Sequence, residues 1–325
     1  MQTLDRQHRA PREPLPAHAA DCHMHVFGPF DRFPLAAERA YNVAEAPLAA
    51  HERMKQRVGL ERTVFVQASG HGTDNGAMLA ALAAIGPRGR GVAVVAPQTS
   101  LAELQRMHKA GVRGLRLNLY TFSGRHTGEP STLLRTYERL IAPLGWHLQL
   151  FCDAQTLATL TAAVEKCAVP VVIDHMGMPD AAQGVEQPVF QTVLQLAAKG
   201  AWVKLAGADR ITRSTGRLSD AVPFIRALAQ TAPQRVVWGS DWPNIGFHAR
   251  QKVHDDEVLV HRELDAGELL DVLAAAVPDA ATACRSAIGV TATRCLSSRS
   301  ARNRSAGGAI CAAGHLWSSI CKVAR

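Results

Sequence analysis

The sequence predicts an α/β protein of the (β/α)8 TIM-barrel class. Eight short apolar runs alternate with helical, Ala/Leu-rich stretches along a chain of 325 residues. Two of those runs end in histidine or aspartate, and a third runs on into Ser240-Asp241. Parallel strands require crossover connections, which the intervening helices supply. A closed barrel of about 250 residues fits the length. A doubly wound sheet is the other arrangement open to such a chain, but no Gly-x-Gly-x-x-Gly follows any predicted strand.

The first strand is read over Ala19–His25, where an apolar stretch meets Asp21-Cys22-His23-Met24-His25. A long connection, Val26 to Glu61, follows and is expected to pass over the barrel mouth. The strands after it are Thr63–Gln67, Gly91–Val95, Val112–Leu119, His147–Phe151, Val171–Asp174, Trp202–Leu205 and Arg235–Gly239, rich in Val, Leu and Ile. Helices are predicted over Gly76–Ala84, Leu101–Ala110 with Ser100 as N-cap, and Leu133–Leu144 after Ser131. Thr156–Lys166, Val189–Lys199 and Ser219–Thr231 complete the alternation. Leu269–Ala276 reads as a terminal helix. The organisation expected is an N-terminal extension over 1–15, a barrel over 16–280, and an atypical basic tail over 281–325.

The formal net charge of +8 is concentrated at one end. Beyond Asp279, the last acidic residue, lie seven Lys and Arg residues, so residues 1–279 carry a net +1. A nearly neutral body argues against a nucleic-acid-binding surface. The tail holds four of the seven cysteines and lacks periodicity. Its abrupt change of composition favours a reading-frame change over a disordered basic extension. Cysteine spacing suggests no disulfide framework and suits a reducing compartment. No apolar run reaches the roughly 18 residues of a membrane span, and the N-terminus lacks the apolar core of a secretory signal. A cytoplasmic location is expected, with no nucleic-acid or membrane partner. Oligomeric state is not legible.

Barrel chemistry sits at the C-terminal ends of the strands. Residues alternate faces along a strand, so His23 and His25 point the same way. His175 follows the sixth strand and Asp241 the eighth, which predicts one pocket from four residues. A carboxylate there can accept a proton from water. Histidines can supply donors where a carbonyl oxygen becomes negative. His23, His25 and Asp241 also form a plausible zinc triad with water at a fourth position.

Three segments, Asp21–Gly28, Val171–Gly177 and Trp238–Pro243, together resemble the amidohydrolase superfamily of metal-dependent-hydrolase-like barrels. The similar branch is the 2-pyrone-4,6-dicarboxylate lactonase group of the amidohydrolase 2 type, over roughly residues 16–280. The resemblance implies hydrolysis or isomerisation of a small carboxylated lactone, of pyrone-dicarboxylate, muconolactone or sugar-acid type. It implies Asp241 as the base that activates water, with His23, His25 and His175 polarising the carbonyl. Arg116 and Arg210 match the group's substrate-binding arginines, in keeping with guanidinium recognition of carboxylates. Ser69 and His71 are placed to contact the ring. The group's second arginine after Arg116 is replaced by Phe122, and Arg125 is the residue that could substitute for it. Phe151 stands where a tyrosine is expected.

For this branch the resemblance implies no bound metal, and metal-free activity is the expectation. The other readings are a zinc-dependent decarboxylase or hydrolase on the same scaffold, and a non-catalytic anion-binding protein with a basic tail.

Overall fold

A computed structural model describes residue 4 and residues 6–121, 128–247 and 257–277. Eight strands form one sheet: β1 (Ala20–Met24), β2 (Arg62–Val66), β3 (Gly89–Ala93), β4 (Val112–Asn118), β5 (His147–Phe151), β6 (Val171–Ile173), β7 (Trp202–Leu205) and β8 (Val236–Trp238). Neighbours are consecutive in sequence and every pair is parallel. The ring is completed just past β8. Asp241 N donates to His23 O at 2.9 Å and His25 N donates to Trp242 O at 2.8 Å. This is the (β/α)8 barrel the alternation predicts.

Local signals place the helices α1 (Leu48–Val58), α2 (Gly76–Ile85), α3 (Leu101–Lys109), α4 (Pro130–Ile141), α5 (Ala154–Glu165), α6 (Pro188–Ala198), α7 (Ala208–Ile211), α8 (Val222–Thr231) and α9 (Ala266–Ala276). Ser100 caps α3 by accepting from Glu103 N. Helix α4 starts earlier than its apolar pattern suggests, because Pro130 occupies its first position and the Glu129 carboxylate accepts from Ser131 N and Thr132 N. The long first connection contains α1, whose His51 reaches back to Asp21 at 3.1 Å. A second small sheet pairs Asn42–Val43 with Val258–Leu259.

The core follows strand alternation. Val203 and Leu205 join the large apolar cluster shared with the helices. Ala20, Cys22, Val64, Val66, Val92, Val172 and Trp202 form a separate cluster on the strands' other face. Two positions past Trp202 on that face lies Lys204, buried. The N-terminal segment clasps α9: Arg9 and Arg12 pair with Asp271, and His8 Nδ1 accepts from Ala266 N. No helix among the described residues is long and apolar enough to cross a membrane. The tail expected over 281–325 lies outside the described residues.

Candidate active site

His23, His25, His175 and Asp241 converge on one oxygen. Asp241 Oδ1 lies 3.7 Å from His23 Nε2, 3.8 Å from His25 Nε2 and 3.9 Å from His175 Nε2. The β1–β2 register shifts between Asp21 and Met24, an irregularity of the kind that re-aims a side chain, and His23 lies within it. The Asp21 carboxylate ties β1 to the loop after β8, accepting from Ser240 N at 2.9 Å and from the Ser240 hydroxyl. Gly239 permits this approach: a Cβ there would stand 2.5 Å from His23 Cβ and 2.7 Å from its backbone nitrogen. His175 and Asp241 both adopt left-handed backbone, with φ of 49° and 57°. Such conformations cost about 1–3 kcal/mol each and concentrate at functional sites.

Burial sets the charge states. It lowers the His25 imidazole to about 4, helped by Arg116, and the His175 imidazole to about 3. His23 is driven well below its ordinary value by burial and by Lys204. These rings are therefore neutral at pH 7. Burial pushes the Asp241 carboxyl up, but Arg210, with the nearby histidines and Arg262, more than offsets it and holds the group well below the usual range. Asp174 behaves alike: burial opposes ionisation and Arg116, with His23 and Lys204, overrides it.

The two matched arginines are tied to these carboxylates. Arg210 Nε donates to Asp241 Oδ2 at 2.6 Å. Arg116 Nε donates to Asp174 Oδ2 at 2.9 Å, and its guanidinium lies 4.6 Å from the centroid of the Phe151 ring. Ser69 Oγ is 3.0 Å from the Tyr41 hydroxyl. His71 Nδ1 lies 3.0 Å from Pro34 O, and its ring stacks on Phe27, itself beside His25. Arg125 lies outside the described residues.

Four participants escape the sequence reading. Lys204 Nζ donates to Gln149 Oε1 at 2.6 Å and lies 3.4 Å from His23 Nδ1. Burial lowers its ammonium to about 8. Asp174, readable only as a loop cap, is instead a buried member of the site. Arg262 holds Asp209 and places Nη2 3.7 Å from Asp241 Oδ2. The detectable signal was a lysine inside the otherwise apolar β7 and a glutamine flanked by leucines in β5.

The metal-free expectation is corrected. His23, His25 and Asp241 each offer a ligand atom, all within 4.8 Å of one another, and His23, Asp174 and His175 form a second such group. His23 Nε2 and Asp241 Oδ1 are buried and make no hydrogen bond. His25 Nδ1 lies 2.9 Å from Val66 O, so donation there leaves the Nε2 lone pair facing the cluster. Neutral imidazoles beside an ionised carboxylate are the donor set of a divalent ion. A solved Burkholderia multivorans amidohydrolase of similar fold contains bound zinc; its TM-score is 0.53 at 21% identity, covering 70% of this chain and 85% of that one.

A 2-pyrone-4,6-dicarboxylate hydrolase from Comamonas testosteroni is 38% identical over 77% of this chain and 84% of its own length. A 4-sulfomuconolactone hydrolase from Hydrogenophaga intermedia is 33% identical over 77% of this chain and 83% of its own. A solved Acinetobacter baumannii protein, named a probable 2-pyrone-4,6-dicarboxylic acid hydrolase and holding citric acid, superposes with a TM-score of 0.64 at 27% identity. It covers 82% of this chain and 95% of that one. A protein-family profile described as Amidohydrolase matches residues 20–275. This chain belongs to the amidohydrolase family.

Proposed function

We propose that this enzyme opens a small carboxylated lactone by adding water to its carbonyl carbon. The observation that carries the reading is Asp241: one oxygen is tied to Arg210, and the other faces three neutral imidazoles. The names of the relatives, hydrolases of pyrone dicarboxylate and of sulfomuconolactone, support a lactone substrate over a decarboxylation substrate or a non-catalytic role. The bound citrate of the Acinetobacter protein supports a pocket for several carboxylates.

Asp241 Oδ1 accepts a proton from water as the water oxygen bonds to the carbonyl carbon. The carbonyl π electrons move to its oxygen, which guanidinium groups, with an N–H of His175, stabilise. Re-formation of the carbonyl breaks the ring C–O bond, and the proton held by Asp241 passes to the departing ring oxygen. Because the imidazoles are neutral, the site's positive charge comes from Arg116, Arg210, Arg262 and Lys204. Arg116 and Arg210 use Nε on protein carboxylates, so their remaining N–H groups are the ones assigned to substrate carboxylates. His23, His25 and Asp241 would hold a divalent ion, which would supply Lewis acidity at the site.

The test is ring opening, followed by pH-stat, across carboxylated pyrones, muconolactones and sugar-acid lactones beside their methyl esters. Turnover confined to the free acids is expected. Equal turnover of acids and esters would remove the arginine assignment, and no turnover of any lactone would remove the reading.

A further inference from the structure

The proton on His23 has two competing neighbours. Asp174 Oδ1 lies 3.5 Å from Nδ1 on one side, and the Lys204 ammonium lies 3.4 Å from the same nitrogen. A carboxylate there requires Nδ1 to carry the proton, which leaves Nε2 as a lone pair. An ammonium donor would instead make Nδ1 the acceptor and move the proton to Nε2. The choice decides whether the atom 3.7 Å from Asp241 Oδ1 is a ligand and base or a hydrogen-bond donor.

Hydrogen-bond satisfaction separates the two cases. Asp174 Oδ2 already accepts from Arg116 Nε and Gln149 Nε2, both at 2.9 Å. Asp174 Oδ1 is buried and makes no hydrogen bond, the Lys204 ammonium standing 3.7 Å away. Lys204 has its acceptor, Gln149 Oε1, at 2.6 Å. Leaving a buried carboxylate oxygen unsatisfied is costly, whereas the ammonium loses little by giving up His23. Arg116 and Gln149 thus fix the carboxylate by one oxygen and turn the other toward the ring.

We propose that Asp174 is a positioning residue that sets the His23 tautomer, keeping the proton on Nδ1 against Lys204 and presenting Nε2 bare to the site. Removing the carboxylate hands Nδ1 to Lys204 and inverts the tautomer. Asp174 also stands in the second ligand group with His23 and His175, so the ring tautomer, not cobalt affinity alone, is the deciding readout.

The experiment is 15N–1H NMR of the full chain at pH 7, freed of metal, with the His23 ring signals assigned by their loss in His23→Gln. Cobalt(II) affinity is measured in parallel by chelator competition. Wild type should show the Nδ1–H tautomer. Asp174→Asn should show Nε2–H and bind cobalt about 10–100-fold more weakly. Asp174→Glu should restore Nδ1–H, and Lys204→Met should retain it. An Nε2–H ring in wild type overturns the proposal even if no variant folds. So does Asp174→Asn with an unchanged tautomer, or Lys204→Met with an inverted one.

Discussion

Replacing Arg210 with Met tests how Asp241 is kept ionised. The guanidinium and carboxylate meet at 2.6 Å, with side chains 10% and 1% exposed. Removing one partner of such a buried pair costs about 3–5 kcal/mol, because the other charge is stranded. Arg262 remains, with Nη2 at 3.7 Å from the same oxygen, so the lower end, about 3 kcal/mol, is expected. The pH dependence has a definite sign. In wild type the Asp241 carboxyl is depressed in the folded state, so its contribution is full above the unfolded value of about 4 and fades as pH falls through the folded one. In Arg210→Met the strongest charge opposing burial is gone, so the carboxyl rises relative to wild type. The difference in stability should therefore be full near pH 8 and shrink towards zero in acid. Urea unfolding at several pH values measures it, and the acid limb of kcat/KM should move to higher pH in the variant. A loss below about 1 kcal/mol, with that limb unmoved, would refute the reasoning, since exposed pairs give as little.

Gly239→Ala should cost at least about 1–3 kcal/mol in thermal or urea unfolding and depress turnover, because the added carbon meets His23 Cβ at 2.5 Å. Phe190→Ala, which removes a fully buried ring packed edge-on to Phe224, should cost about 3–5 kcal/mol by urea unfolding with little change in KM. Among the described cysteines, peptide mapping after brief iodoacetamide treatment at pH 8 should find Cys167 labelled before Cys22 or Cys152. Cys167 is only partly buried, whereas burial and the nearby Asp174 push the Cys152 thiol up to about 12.

The barrel was legible because its signals are local and repeated. His147–Phe151 and Trp202–Leu205 are bounded as their apolar runs suggest, and Ser100 caps α3 as its position before Leu101 implies. Helix α1 was not, because Leu48–Val58 carries five charged residues or histidines within eleven positions and reads as connection. Strand-end logic brought His23, His25, His175 and Asp241 to one place. It could not find Lys204, Gln149 or Arg262, whose importance depends on which side chains from other strands they meet. Nor could it show that Arg116 and Arg210 reach carboxylates of the protein itself. The absence of a metal was inferred from resemblance, and the convergence of ligand atoms at His23, His25 and Asp241 overturns it.

The proposed role of Asp241 Oδ1 is to accept the proton of water in lactone opening. The most direct test compares wild type with Asp241→Asn on the best carboxylated lactone, measuring kcat by pH-stat and substrate affinity by calorimetry on the same preparations. In Asp241→Asn kcat should fall by about 10²–10⁴-fold while the lactone still binds. Asp241→Asn with wild-type turnover would contradict it.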